Sequence, residues 1–178
     1  MNLFLLSLDP EENARLHCDQ HVVKMILEAV QLLCTCLHTD RALGHVPRTC
    51  NKGELARIKQ CVSDGSVAFY KPTHVNHPLA VWTRTCRENY EFVKEYAMSL
   101  GREYTFRYGK THKSAELCKS LPEPENLPCH GNITPHVICM DVQYQVSSDP
   151  VACYRNYYSS KEFARYSRRE WPEWFHKM

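Results

Sequence analysis

The sequence predicts a mostly α-helical fold, a single compact helical domain spanning residues 1–178 with a short apolar strand at its amino end. Three observations predict it. A helix-opening proline follows a capping residue at Asp9-Pro10, His77-Pro78 and Asp149-Pro150. Two long stretches carry apolar residues at helical spacing. A length of 178 residues, with no internal repeat or low-complexity tract, is room for one core.

The elements follow in chain order. Leu3 to Leu8 is an apolar run that reads as a buried strand; it lacks a basic leader and a small-residue cleavage site, so an intracellular protein is expected. Asp9-Pro10-Glu11-Glu12 places a cap, a first-turn proline and a glutamate three residues after the cap, opening a helix that should run to about His38. At about 100° per residue, Val22, Ile26, Val30, Leu33 and Leu37 share one face. His17, His21, Lys24, Glu28 and Gln31 form a narrow stripe on the opposite side, and Asp19 falls within the apolar face. A short helix is expected over Glu54 to Cys61, then a loop through Tyr70 to Pro78. A second long helix runs from about 78 to 100, ended by Gly101, with Trp82, Cys86, Tyr90, Val93, Ala97 and Leu100 as its stripe. Asn89 lies inside that stripe and needs a buried partner. A segment dense in cations and aromatics, Glu103 to Lys113, leads into a helix over Ser114 to Ser120. Leu121 to Pro128, with three prolines, is a surface loop. The last helix ends near Tyr158, and the aromatic tail Phe163 to Phe175 packs on the core.

Composition narrows the function. The hydrophobic share is 43% and the charged share 24%, with only 6 glycines, which excludes disordered and collagen-like chains. No run approaches about 18 consecutive apolar residues, so no membrane span is expected. Ten cysteines without C-x-x-C spacing read as reduced, mostly buried thiols, and no metal or cofactor is expected. Serine-elbow, P-loop and dinucleotide glycine motifs are missing. A net charge of +2 is too small to signal nucleic acid by bulk field alone.

Three constellations carry candidate chemistry. Asp19, His21 and Lys24 combine a dehydrated carboxylate, which must find a cation or rise in pKa, with an acid–base group and an amine. His17 and His21, one turn apart, have the spacing of two metal ligands but lack the glutamate of H-E-x-x-H. Lys71, His74, Asn76 and His77 precede a helix amino terminus, where free N–H groups attract anions, although a helix cap explains Asn76 and His77 equally well. Arg107, Lys110, His112 and Lys113 interleave with Tyr104, Phe106 and Tyr108 on a glycine-containing turn, as a phosphate-backbone contact would. Cys18, between two histidines, is the one cysteine with a context for nucleophilic chemistry.

His17-Cys-Asp19-x-His21-Val-Val-Lys24-Met-Ile-Leu-Glu28, Thr73-His-x-Asn76-His77-Pro78 and Glu103-Tyr-Thr-x-Arg107-Tyr-Gly-Lys110-Thr-His112-Lys113 resemble a protein family of phages and large DNA viruses that carries no firm function. The resemblance covers nearly the whole chain. A more remote similarity is to the pyrimidine-dimer DNA glycosylase (endonuclease V) family: small helical proteins that begin with a short apolar segment and a long helix bearing a catalytic carboxylate. That family forms an imine between an amino-terminal amine and deoxyribose, then breaks the strand by elimination. The similarity implies an amine on Met1, because Asn2 hinders methionine removal, and sets the family's glutamate nearest Val22, with Asp19 and His21 beside it.

The expectation is therefore a viral-type DNA-processing enzyme, a base-excision glycosylase with lyase activity. Asp19, His21, Lys24 and His77 are its catalytic candidates, and the amino terminus or Lys24 supplies the amine. Lys71, His74, Asn76, Arg84, Arg107, Lys110, His112 and Lys113 would hold phosphates. The alternatives are a hydrolase or phosphodiesterase of a small nucleotide, and a non-catalytic protein that binds nucleic acid or a host factor.

Overall fold

A computed structural model describes residues 1–63 and 69–175. The helices are α1 (Pro10–Leu16), α2 (Asp19–Leu43), α3 (Lys52–Ser63), α4 (Pro78–Thr83), α5 (Arg87–Tyr108), α6 (Lys113–Ser120) and α7 (Pro150–Ser159), with a 3-10 turn at Val142–Tyr144. The fold is all-helical, with no strand among the described residues. Asp9, His77 and Asp149 cap α1, α4 and α7 with their side chains, each followed by the helix-opening proline.

α2 is the central element. It packs along α5 and is flanked by α3, α4 and α6, while α1 lies on α5. Val22, Ile26, Val30, Leu33 and Leu37 are all buried, each contributing about 1.5–3 kcal/mol of transfer free energy. By length and composition α2 is apolar enough to cross a membrane, with a mean hydropathy of 1.4, but 72% of that stretch is buried inside the fold. Its apolarity therefore serves this core. Seven cysteines (18, 34, 36, 50, 86, 118 and 153) are buried, and all ten are free thiols.

The amino-terminal segment corrects one expectation. Leu3, Phe4, Leu5 and Leu6 are buried as predicted, but they join no sheet. Side chains replace a ladder: Asn13 Oδ1 accepts from the N–H groups of Leu6 (2.6 Å) and Ser7 (3.1 Å), and Arg155 Nε donates to the Leu6 carbonyl (2.8 Å).

Both long helices are broken where the sequence predicts continuity. The first breaks at His17 and Cys18, whose backbones are extended. The freed N–H groups find distant acceptors: Cys18 donates to the Tyr158 hydroxyl (2.8 Å) and Asp19 to the Arg165 carbonyl (2.9 Å). The second breaks at Arg84 to Cys86. There the Asn89 amide donates to the Trp82 carbonyl (2.7 Å) and pairs with Thr134, and Arg87 N donates to Pro128 O (2.9 Å). Asn89 thus has the buried partners its position demands.

α5 then runs through Gly101 and ends at Gly109, at φ +64. Gly101 is small for a packing reason, since a Cβ there would sit 2.8 Å from the Ala115 Cβ of α6. The aromatic tail packs as expected, with Tyr166 buried, its hydroxyl on the Leu16 carbonyl (2.8 Å), and Trp174 and Phe175 against the core.

Candidate functional site

His21, Lys24 and Glu28 follow one another at i, i+3 and i+7 on α2, so helical geometry puts them on one face. The amino-terminal segment returns alongside that face. The Asn2 N–H donates to Glu28 Oε2 (2.7 Å), the Met1 amine lies 3.9 Å from the same oxygen, and Lys24 Nζ lies 3.4 Å from Oε1. Across the opening stand Tyr157 and Lys161, the ammonium 3.5 Å from the Tyr157 ring centroid. The cleft between them has a volume of about 450 Å³ and is walled by Met1, Phe4, His21, Lys24, Glu28, Tyr157, Lys161 and Phe163, among others. Two amines therefore converge on one carboxylate, with a third cation opposite.

His21 is buried, stacked on Phe4 (ring centroids 4.6 Å apart) and met edge-on by Phe163 (5.2 Å), and its Nδ1 bonds the Tyr158 hydroxyl (2.9 Å). Burial, then the charges of His17, Lys161 and Lys24, push its pKa down to about 3. It is a neutral ring at physiological pH, able to donate or accept a hydrogen bond according to its tautomer. His17 sits deeper: Nδ1 donates to the Asn13 carbonyl (2.7 Å) and Nε2 bonds the Tyr96 hydroxyl (3.0 Å). Desolvation lowers its pKa to about 4. With both nitrogens committed, it is no metal ligand. Among the described residues no group of three or more histidine, cysteine or acidic side chains is poised to hold a metal ion.

His77 caps α4, its Nδ1 accepting from Leu79 N (3.2 Å). Burial lowers its pKa first and the positive charge of the amino terminus lowers it further, while Glu28 opposes them. His77 thus lies within electrostatic reach of the amino terminus and Glu28. Comparisons with protein-family models, with curated proteins and with solved structures find no match. The site is read from its own chemistry.

Four sequence candidates belong to the scaffold. Asp19 is held by Arg107 (2.9 Å) and by the Ser167 N–H (2.9 Å), so its exceptional place on the apolar face is resolved by a structural ion pair. Arg107, its side chain 0% exposed, also bonds Glu103 (2.6 Å) and the Arg15 carbonyl (3.0 Å) and cannot reach a phosphate. Arg84 is buried, donating to the carbonyls of Pro47, Val75 and Arg48. The Asn76 amide pairs with both backbone groups of Cys50 (2.8 and 2.9 Å). Arg84 and Arg107 are buried with saturated bonds, while the half-buried Asp19 and the exposed Asn76 are tied down by theirs.

The remaining candidates lie elsewhere. His112 caps α6 through Nδ1, and Lys71, Lys110 and Lys113 are exposed. His74 is exposed at φ +50 and shares a hollow of about 430 Å³ with Asn76 and His77, separate from the first cleft. Cys18 is fully buried and offers no accessible thiol. Val22 is core, so the carboxylate beside the amine is Glu28, one helix face away from the expected position. Its signal was present as the His21, Lys24 and Glu28 spacing. Tyr157 and Lys161 had none, because only tertiary folding brings α7 to the cleft.

Proposed function

We propose that the cleft is the active site of a DNA glycosylase/AP lyase that acts on damaged or modified DNA through an imine. The observation that carries this reading is the convergence of the Met1 and Lys24 amines on the Glu28 carboxylate within one open, cation-walled cleft.

The chemistry follows from those groups. An uncharged amine attacks C1′ of a deoxyribose; the C1′–base bond breaks, and the base departs with the bonding pair and takes up a proton. The nitrogen loses a proton, the sugar ring opens with a proton delivered to its oxygen, and a protonated imine remains. Glu28 is placed beside the amine to carry these protons. The imine acidifies the C2′ hydrogen; its removal and cleavage of the C3′–O bond release the 3′ phosphate, and water then hydrolyses the imine to restore the amine. Lys161 provides a cation at the cleft for the strand's phosphates. Phe163, 41% exposed at the cleft wall, offers a face for an unstacked base.

The test uses purified protein in chelator with matched duplexes, undamaged, ultraviolet-damaged and abasic, and borohydride to trap the imine. Expected is a covalent adduct on the damaged or abasic strand alone, mapped by mass to Met1 or Lys24. Glu28→Gln should bind the duplex yet lose about 10²–10⁴-fold in strand cleavage. One residue added ahead of Met1 separates the two amines: it abolishes the adduct if Met1 is the nucleophile, whereas Lys24→Arg abolishes it if Lys24 is. Binding without adduct or cleavage on any duplex would sink the proposal.

A further inference from the structure

We propose that His21 serves this site as a fixed, uncharged hydrogen-bond donor: Tyr158 donates to its Nδ1, which leaves the ring's one proton on Nε2, at the wall of the cleft, for an oxygen of the bound DNA strand. The inference rests on the reading of the cleft as the substrate site.

The Tyr158 hydroxyl is fully buried and has a single proton. Its oxygen already accepts from the Cys18 backbone N–H (2.8 Å), a group orphaned by the break between α1 and α2. Two groups compete for the hydroxyl proton, the Cys18 thiol and His21 Nδ1 at 2.9 Å, and the imidazole nitrogen is by far the stronger acceptor. A neutral imidazole that accepts at Nδ1 carries its hydrogen at Nε2. His17 shows the opposite arrangement, with Nδ1 donating to a carbonyl, which a carbonyl oxygen requires. Rotation of the His21 ring is opposed on three sides by Phe4 stacked on it and by Tyr158 and Phe163 edge-on.

Burial first, then the cations that face the ring, fix its state: Lys24 on α2 and Lys161 beyond α7 disfavour a second proton, and His17 would do so once it is itself protonated. The helix break, the tyrosine and the cations together make a donor that neither titrates nor exchanges tautomer across the working pH range. A preorganised N–H of this kind stabilises negative charge that grows on a phosphate or sugar oxygen as a bond breaks, and it needs no reorganisation to do so.

Two measurements test this. The first is a two-bond nitrogen–proton correlation spectrum of the free protein, which reads the His21 tautomer directly. Expected is the Nε2–H form, unchanged between about pH 8 and pH 5, with an Nε2 proton that moves downfield when a duplex containing a tetrahydrofuran abasic analogue is added. An Nδ1–H ring, a protonated ring at pH 7, or an Nε2 proton indifferent to a duplex that binds would each overturn the inference. The second compares His21→Phe, which keeps the ring's packing against Phe4, with His21→Gln, which returns an N–H near the position of Nε2. Strand cleavage should fall about tenfold or more in the phenylalanine variant, the scale of one hydrogen bond made to a developing charge. It should recover most of that in the glutamine variant, with both proteins folded by circular dichroism. Equal cleavage by His21→Phe and wild type would refute the donor role. A wild-type protein that forms no adduct would instead refute the parent reading, while the tautomer spectrum still decides the state of the ring.

Discussion

Arg107→Met is the sharpest test of the division between scaffold and site. In the native protein the guanidinium is removed from solvent and makes three bonds: Nε to Glu103 Oε1 (2.6 Å), Nη1 to Asp19 Oδ1 (2.9 Å) and Nη2 to the Arg15 carbonyl (3.0 Å). It joins the start of α2 to the end of α5 and, through Glu103, to Arg169 of the tail (2.7 Å). Methionine matches much of the volume but leaves Asp19 with the Ser167 N–H and Glu103 with Arg169 alone. Removing one partner of a buried ion pair costs about 3–5 kcal/mol, because the surviving charge stays desolvated. Since Arg169 and Ser167 retain part of the support, the lower end of that range is expected. Urea unfolding at pH 7 measures it. The pH dependence adds a second check. Burial alone would raise the Glu103 pKa, but Arg169 and Arg107 hold it below its ordinary value. Glu103 therefore contributes stability that is present above the unfolded-state carboxylate pKa and lost as pH falls through the lower folded value. With Arg107 gone the folded pKa moves up, so the stability gap between variant and wild type should narrow from pH 7 toward pH 4. A variant as stable as wild type that had lost salt-sensitive DNA binding would refute the argument and return Arg107 to the phosphate contacts the sequence suggests.

Three further outcomes are expected. Acid should unfold the protein, because His17, His21 and His136 have pKa values lowered by burial to about 4, 3 and 4. Below the unfolded-state histidine pKa of about 6.5 the unfolded chain takes up protons that the native state refuses, so stability falls from there toward pH 4; circular dichroism that held its native form through pH 4 would contradict this. Gly101→Ala should lose about 1–3 kcal/mol in urea unfolding, since its methyl would press on Ala115 of α6 at 2.8 Å and neither helix has a flexible end to yield; an unchanged midpoint would show that the two helices separate freely. Lys161→Gln should weaken duplex binding alike for all sequences and lower the salt-dependence slope by about 1; an unaltered slope in fluorescence anisotropy would remove Lys161 from the phosphate contacts.

The helical fold was legible because its signals are local. Capping side chains and first-turn prolines at Asp9-Pro10, His77-Pro78 and Asp149-Pro150 act within one turn, and each opens a helix. The α2 apolar face was equally readable, since its five spaced aliphatics are all core. The breaks at His17-Cys18 and Arg84–Cys86 were not, because no glycine or proline marks them. They exist because a hydroxyl on α7, a carbonyl of the tail and the carbonyl of Pro128 satisfy the freed N–H groups, and those partners lie far along the chain. Local propensity favours continuity there, and tertiary bonds override it.

The same difference of range explains the site. A cation or carboxylate in sequence looks alike whether solvated or saturated, so Arg84, Arg107 and Asp19 read as chemistry and prove to be cement. Their saturation depends on Pro47, Glu103 and Ser167, which no spacing connects to them. Glu28 is the converse. Its spacing from His21 and Lys24 was visible as one helix stripe, but a stripe becomes a site only when something with complementary chemistry lies across it. The returning amino terminus supplies that, and α7 adds Tyr157 and the lysine beyond it. The helix break is part of the same construction. By orphaning the Cys18 N–H it engages the Tyr158 hydroxyl as an acceptor on one side, which favours the proposed donation toward His21 on the other. A feature that breaks the rule of helical continuity thereby sets the protonation of the ring that faces the cleft, which is where a departure from local preference is expected to have a use.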